Sequence, residues 1–136
     1  MIKMFQKTLL AKDVRACISA KSMKRGLMFT LRQKCLLFVH EEERRTTLHM
    51  FFVFYPIDII YLDKTKTIVE LKKNLRPFGF YRPRNKAQYI IELPQNSIKE
   101  TLATIGDYVE IPHIGKDGDI IDLNIIQERE EAEEDK

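Results

Sequence analysis

Apolar residues in this chain fall into short runs, some with a two-residue period and some unbroken, separated by turn residues. That pattern predicts strands. The densest run is Leu48-His49-Met50-Phe51-Phe52-Val53-Phe54-Tyr55-Pro56-Ile57-Asp58-Ile59-Ile60-Tyr61-Leu62-Asp63. Pro56 has no N–H to give to a ladder, so the run divides into strands over 45–54 and 57–62. The compact apolar run 35–40 precedes it across a charged connection, 41–45, and the first expected hairpin pairs 35–40 with 45–54. A turn at 63–66 leads to 67–72, which returns along 57–62 as a second hairpin. Strands are also expected over 8–19, broken near Lys12-Asp13, and over 87–93 and 108–111. Residues 120–126 form either an edge strand or a helix that runs into the C-terminal tail.

Two short helices complete the set. Ser19 can cap a helix over 20–25, which Gly26 ends in the left-handed conformation, with Leu27-Met28-Phe29 as an anchor. Ser97 with Glu100 three residues on makes a capping-box pattern that opens a helix over 98–104, with Leu102 facing inward. Residues 74–86 contain Pro77, Gly79 and Pro83, which exclude a helix and predict an irregular loop. No strand–long helix–strand rhythm appears. The expected fold is therefore mainly β, a small antiparallel sandwich or barrel with one or two short helices.

Composition changes this picture little. A chain of 136 residues, 44% of them apolar, favours one domain with its own core. We expect that domain over 1–126. Cys17 and Cys35 lie in apolar runs without metal or redox spacing, which suits two buried, reduced thiols. No signal-peptide pattern opens the chain, and 48–63 is too short and interrupted for a membrane helix, so a cytoplasmic protein off the membrane is expected. Charge is more informative. The net charge is +3, and residues 127–136 carry six acids against two bases, −4, which leaves +7 on the first 126. The body is basic and the tail acidic, and the tail is expected to be disordered.

Five short motifs follow one another in a specific order. They are Gly26-Leu27-Met28-Phe29, Leu36-Leu37-Phe38-Val39, His49-Met50 followed by Tyr55-Pro56-Ile57-Asp58, Tyr89-Ile90-Ile91-Glu92-Leu93-Pro94, and Ile105-Gly106-Asp107-Tyr108-Val109. The succession resembles the archaeal and bacterial family called domain of unknown function 192, over roughly residues 14–111. His49 stands where many bacterial members have tryptophan, which is similar to the archaeal branch. Cys35 replaces a frequent glycine, and Phe51-Phe52 replace a lysine-asparagine pair, so any polar role of that pair is absent here. The resemblance implies a small mostly-β domain of jelly-roll or sandwich type. It brings no activity, substrate or cofactor with it.

Candidate chemistry is therefore argued from residues. His49 and Asp58 flank Pro56, and if the two strands fold about it, the carboxylate could orient the imidazole for general-base or metal-assisted hydrolysis. Glu92, an acid inside an apolar strand, is the third candidate. The alternative for Asp58 is a buried acceptor of backbone N–H groups. No HxH, HExxH, GxSxG, GxGxxG or P-loop pattern is present, so no metal or other cofactor is expected. The stronger signal is for binding. Arg76, Phe78, Tyr81, Arg82 and Arg84 interleave cations with aromatic rings, which suits nucleic acid or another anionic ligand, with Met50 nearby. In the alternative reading Phe78 and Phe80 plug one end of the fold. A binding module is the first expectation. An assembly domain that pairs through a strand edge, and an enzyme using His49 and Asp58, are the alternatives.

Overall fold

All six side chains of Ile57–Leu62 are buried. A strand buried on both faces must be covered on both, and most of the remaining chain is arranged to do so. The structure, a computed structural model, describes residues 3–18, 34–115 and 120–130. The expected helix over 20–25 and the anchor after it lie outside the described residues. Along the described chain run strands β1 (Lys3–Cys17), β2 (Leu36–Arg44), β3 (Leu48–His49), β4 (Ile57–Leu62), β5 (Ile68–Leu75), β6 (Phe80–Tyr81) and β7 (Ala87–Pro94). Helix α1 (Ser97–Thr101) and strands β8 (Tyr108–Glu110) and β9 (Ile120–Glu130) follow.

Seven strands form one sheet in the order β5-β4-β7-β2-β1-β9-β8. The mainly-β expectation holds, but the sheet is mixed. β1 and β2 are parallel, with Arg15 opposite Leu36 and Cys17 opposite Phe38. A parallel pair cannot be joined by a tight hairpin, so local sequence gave no sign of it. The sheet curls until its edge strands touch at one bridge, Thr67 to Tyr108. There Ile68 N–H donates to Asp107 O at 2.8 Å and Val109 N–H to Lys66 O at 3.0 Å. The curl stops short of a closed barrel.

Alternation along each strand sorts side chains between two cores. Residues from all seven strands, among them Val14, Leu37, Ile60, Leu62, Ile91 and Leu123, fill the inside of the curl together with Ile98 of α1. Ile57, Ile59 and Tyr61 of β4 point the other way, beside Leu36, Phe38 and Ile90. That outer core is closed by Met50 and Val53, each 2% exposed. Burying such a side chain contributes roughly 1.5–3 kcal/mol.

Those two residues explain the main departure from expectation. The run 45–54 does not pair with 35–40. β2 is already flanked by β7 and β1. Only Leu48–His49 is strand, and it pairs with β6, Leu48 opposite Tyr81 and His49 opposite Phe80. The segment lies across the sheet as a cover rather than beside β2 as a strand. The charged residues 41–44 are the end of β2, not a connection. The hairpin of β4 and β5 is as expected, while the expected break near Lys12-Asp13 is a bulge within one continuous strand, where Asp13 has φ 53° and the β1–β9 ladder shifts register.

Helix α1 also differs. Its N-cap is Asn96, in the left-handed conformation, and the cap makes no side-chain hydrogen bond. The Ser97 hydroxyl instead donates to Pro94 O at 2.6 Å. Leu102 is exposed, and Ile98 takes the inward position. The helix is anchored at both ends by buried polar groups. Asp58, 1% exposed, accepts the Ile98 N–H at 2.9 Å on one carboxylate oxygen and the Asn74 N–H at 3.0 Å on the other. At the far end the Gln127 amide donates to Leu102 O at 2.8 Å and to Asp107 Oδ2 at 3.0 Å. Gln127 belongs to β9, which continues as strand to Glu130, opposite Lys3. The first four residues of the acidic tail are thus part of the sheet, while 131–136 lie outside the described residues.

Asp58→Ala removes the acceptor for two backbone amides and should cost about 2–4 kcal/mol in urea unfolding, whereas Asp58→Asn, which keeps one acceptor, should lose less. An alanine variant as stable as the parent would show that the two amides find other partners.

Candidate binding surface and the acids beneath it

The cover over the outer core is built from two segments, 48–54 and 76–82, clasped by backbone bonds. Met50 N–H donates to Gly79 O at 2.7 Å, and Phe78 N–H donates to Met50 O at 2.9 Å. Val53 N–H closes a turn onto Met50 O at 3.2 Å. Gly79 N–H closes a turn onto Arg76 O at 3.0 Å, and a Cβ at this position would sit a tight 3.1 Å from that oxygen. Phe52 and Phe78 take left-handed backbone angles, φ 55° and 60°. Such angles cost about 1 kcal/mol for residues with a Cβ, so the clasp and the buried anchors Met50 and Val53 hold them there.

With the anchors turned inward, the phenylalanines turn out. Phe51, Phe52, Phe54 and Phe78 are about half exposed and Phe80 is 75% exposed. Phe78 stands between two neighbours, with ring centroids 6.2 Å from Phe52 and 5.8 Å from Phe54, both edge-on. His49 is exposed and tilts against Phe51 at 4.9 Å. Phe78 and Phe80 therefore plug nothing; they are surface. Arg76, Arg82 and Arg84 are exposed around them. The Arg45 guanidinium ties the far side down by donating to Pro83 O at 3.0 Å.

Beneath the cover, on the outer face of β4, β5 and β7, lies a set of acids and tyrosines. Glu70, opposite Tyr61 in the ladder, is 7% exposed. Its carboxylate accepts the Tyr81 hydroxyl at 2.5 Å, the Arg84 and Asn85 N–H groups at 2.9 Å each, and the Asn85 amide at 2.9 Å. Burial alone would raise its pKa, but these donors outweigh burial and hold it below the usual carboxylate value. The same contact, after burial, pushes the Tyr81 phenol up to about 12. Lys72 Nζ lies 5.5 Å above the Tyr81 ring. Glu92, opposite Ile59, has no hydrogen-bond or ion-pair partner among the described residues, and burial pushes it up to about 8. The Tyr61 hydroxyl is buried without a hydrogen-bond partner, and its pKa is raised by burial and by the acids around it.

The residues expected to make chemistry do not converge. His49 is at the surface of the cover, while Asp58 points into the inner core and is spent on two backbone amides. Glu92 lies on the opposite face of the sheet from Asp58, because it is paired with Ile59 and β4 alternates. No cluster of three or more His, Cys, Asp or Glu that could hold a metal ion is found among the described residues. The binding candidates divide. Arg76, Phe78, Arg82 and Arg84 are exposed on or beside the cover, whereas Met50 is buried beneath it and Tyr81 turns its hydroxyl down onto Glu70. Sequence reasoning missed Glu70, which shows the signal used for Glu92, an acid within an apolar strand. It also missed that Phe51, Phe52 and Phe54 face out, because 45–54 is expected as a strand paired with 35–40 rather than as a cover.

Glu92 gives a pH test. Its pKa is raised on folding, so the folded state holds the proton between about 4.5 and 8, and stability falls as pH rises through that window. Glu92→Gln should flatten this decline and make the variant more stable than the parent at pH 8.5, by at most about 5 kcal/mol, with little difference at pH 4.5. Glu70 has the opposite sign: its contribution is present above the unfolded carboxylate pKa and lost as pH falls through its lower folded value. Tyr81→Phe should therefore weaken the fold at neutral pH and reduce the loss on acidification, as read by thermal melts from pH 3 to 7.

The profile of the family DUF192, Uncharacterized ACR, matches residues 3–111. A UPF0127 protein of Thermococcus sibiricus is 42% identical over 89 residues, covering 63% of this chain and 57% of that protein, so the match spans little more than half of that relative's length. A UPF0127 protein of Pyrococcus abyssi is 38% identical over 97 residues, 68% of this chain and 82% of that protein. Two solved structures share the fold. A Sinorhizobium meliloti protein, described as a candidate transcription regulator, superposes with TM-score 0.67 at 20% identity, over 79% of this chain and 92% of that one. A protein of unknown function from Novosphingobium aromaticivorans superposes with TM-score 0.68 at 16% identity, over 77% and 83%. The order of motifs, the extent of the match and the archaeal relatives agree: this chain belongs to the DUF192 family, in its archaeal branch.

Proposed function

We propose that the chain is a binding module for an anionic ligand and that the cover is its binding surface. One observation carries the reading. The two segments that build the cover and its flanks, 44–56 and 72–86, contain eight Lys or Arg and no Asp or Glu, in a chain with 20 acids. A stretch of surface without acids produces a positive field that a mixed surface does not, and it draws anions by long-range attraction. Arg76, Arg82 and Arg84 can each present a bidentate fork to a phosphate or carboxylate. The solved relative described as a candidate transcription regulator is consistent with such a ligand.

The alternatives have less support. Pairing through a free sheet edge would use β5 or β8, and these two edges meet each other at Thr67 and Tyr108. Catalysis by His49 with Asp58 would need them together. No helix among the described residues is long and apolar enough to cross a membrane. The cytoplasm remains the compartment we propose, in keeping with the free thiol of Cys35.

Inorganic polyphosphate, titrated by calorimetry across a salt series, tests the charge argument. Affinity should fall steeply with salt. Arg82→Ala and Arg84→Ala should each weaken binding and lower the salt slope by about 1. Arg84 meets Glu70 through its backbone N–H, so this substitution leaves that bond in place. Affinity that is flat with salt, or absent at low salt, would remove the reading.

A further inference from the structure

The exposed apolar residues of the cover are all of one kind. Phe51, Phe52, Phe54, Phe78 and Phe80 face out, while Leu48, Met50, Val53 and Leu75 are turned in or partly covered. We infer that the cover binds single-stranded nucleic acid, its phenylalanines stacking on unpaired bases while the arginines between them take the phosphates. This rests on the anionic-ligand reading above and names the ligand class for that surface.

Three features favour this occupant. First, contiguous exposed apolar surface on a soluble domain marks a contact site, and five phenylalanines on two clasped segments form such a patch. Second, the two segments carry eight Lys or Arg and no acid, which complements a phosphate backbone. Third, the rings are held in place before any ligand arrives. The Met50–Gly79 and Phe78–Met50 bonds fix the backbone, and Phe78 is braced edge-on by Phe52 and Phe54. Fixed flat rings suit base stacking, which tolerates any sequence because every base has a π-face. In a duplex those faces are covered by neighbouring bases, so the unpaired strand is the better fit. A lipid surface would be met as well by aliphatic side chains, and here the aliphatic ones are withdrawn.

Fluorescein-labelled oligothymidylate of about 12 nucleotides, an abasic deoxyribose-phosphate strand of equal length and a duplex of equal length separate the possibilities by anisotropy, since sites of this class span roughly 4–16 nucleotides. The thymidylate should bind at least about 10-fold more tightly than the abasic strand and the duplex, and Phe78→Ala or Phe80→Ala should each weaken thymidylate binding about 5- to 150-fold and so narrow its lead over the abasic strand. Both side chains are exposed, and an unchanged melting temperature for each variant confirms that the fold is intact. Equal binding of thymidylate and abasic strand would overturn base stacking and leave the anionic-ligand reading standing. No binding of either at low salt would overturn both. Phenylalanine-dependent binding of phosphatidylglycerol vesicles, without binding of thymidylate, would assign the patch to a membrane surface and overturn the inference.

Discussion

The double-sided burial of β4 is the constraint from which the rest of the structure follows. A central strand whose every side chain is buried cannot belong to a sheet with a wet face. One face is closed by the sheet itself, which curls so that seven strands and Ile98 share an inner core. The other needs separate material, and the chain supplies it in the segments around Met50 and Gly79. The curl brings β5 and β8 into contact. The separate cover creates a surface outside the sheet, free of the ladder's geometry, on which side chains can be chosen for something other than packing. Scaffold and exposed cover are thereby divided between different parts of the described chain.

Much of the scaffold was legible. Strands with clear turn signals at their ends, such as 57–62 and 87–93, appear close to where alternation and proline placed them. The cover was not legible. The run 48–54 has strand composition, and nothing local says that its ladder partner is two residues of a distant loop. Partnership is non-local, and β2 had better partners in β7 and β1. Helix α1 forms where expected, but its capping differs for a related reason: its N-terminal acceptor is Asp58, forty residues earlier, so a local capping box was unnecessary. Asp58 itself was read correctly in its alternative role, as a buried acceptor of amides. Glu92 was singled out by its apolar setting and is indeed buried, but burial in a strand does not say which face it takes, and it faces away from Asp58.

The buried acids illustrate how one residue type is held in three ways. Asp58 accepts two backbone amides, one at a helix start and one from β5. Glu70 gathers donors from Tyr81, Arg84 and Asn85 and stays ionised. Glu92 gathers none among the described residues and keeps its proton until about pH 8. The difference is one of available donors rather than depth. Because Glu70 receives the backbone of the same loop that bears Arg82 and Arg84, it also orients the basic surface above it.

The ladder between β1 and β9 places Lys3 opposite Glu130. Contacts this far apart in sequence raise contact order and slow folding, since the loop between them must be closed before the pairing contributes anything. During synthesis, β1 emerges early and has no neighbour on that side until β9 has left the ribosome. In that interval its edge is open, and its exposed Met4, Phe5 and Leu9 are beside unpaired N–H and C=O groups. The ladder that joins the first and last described strands in the finished molecule therefore leaves an apolar edge open in the growing chain that the finished molecule covers.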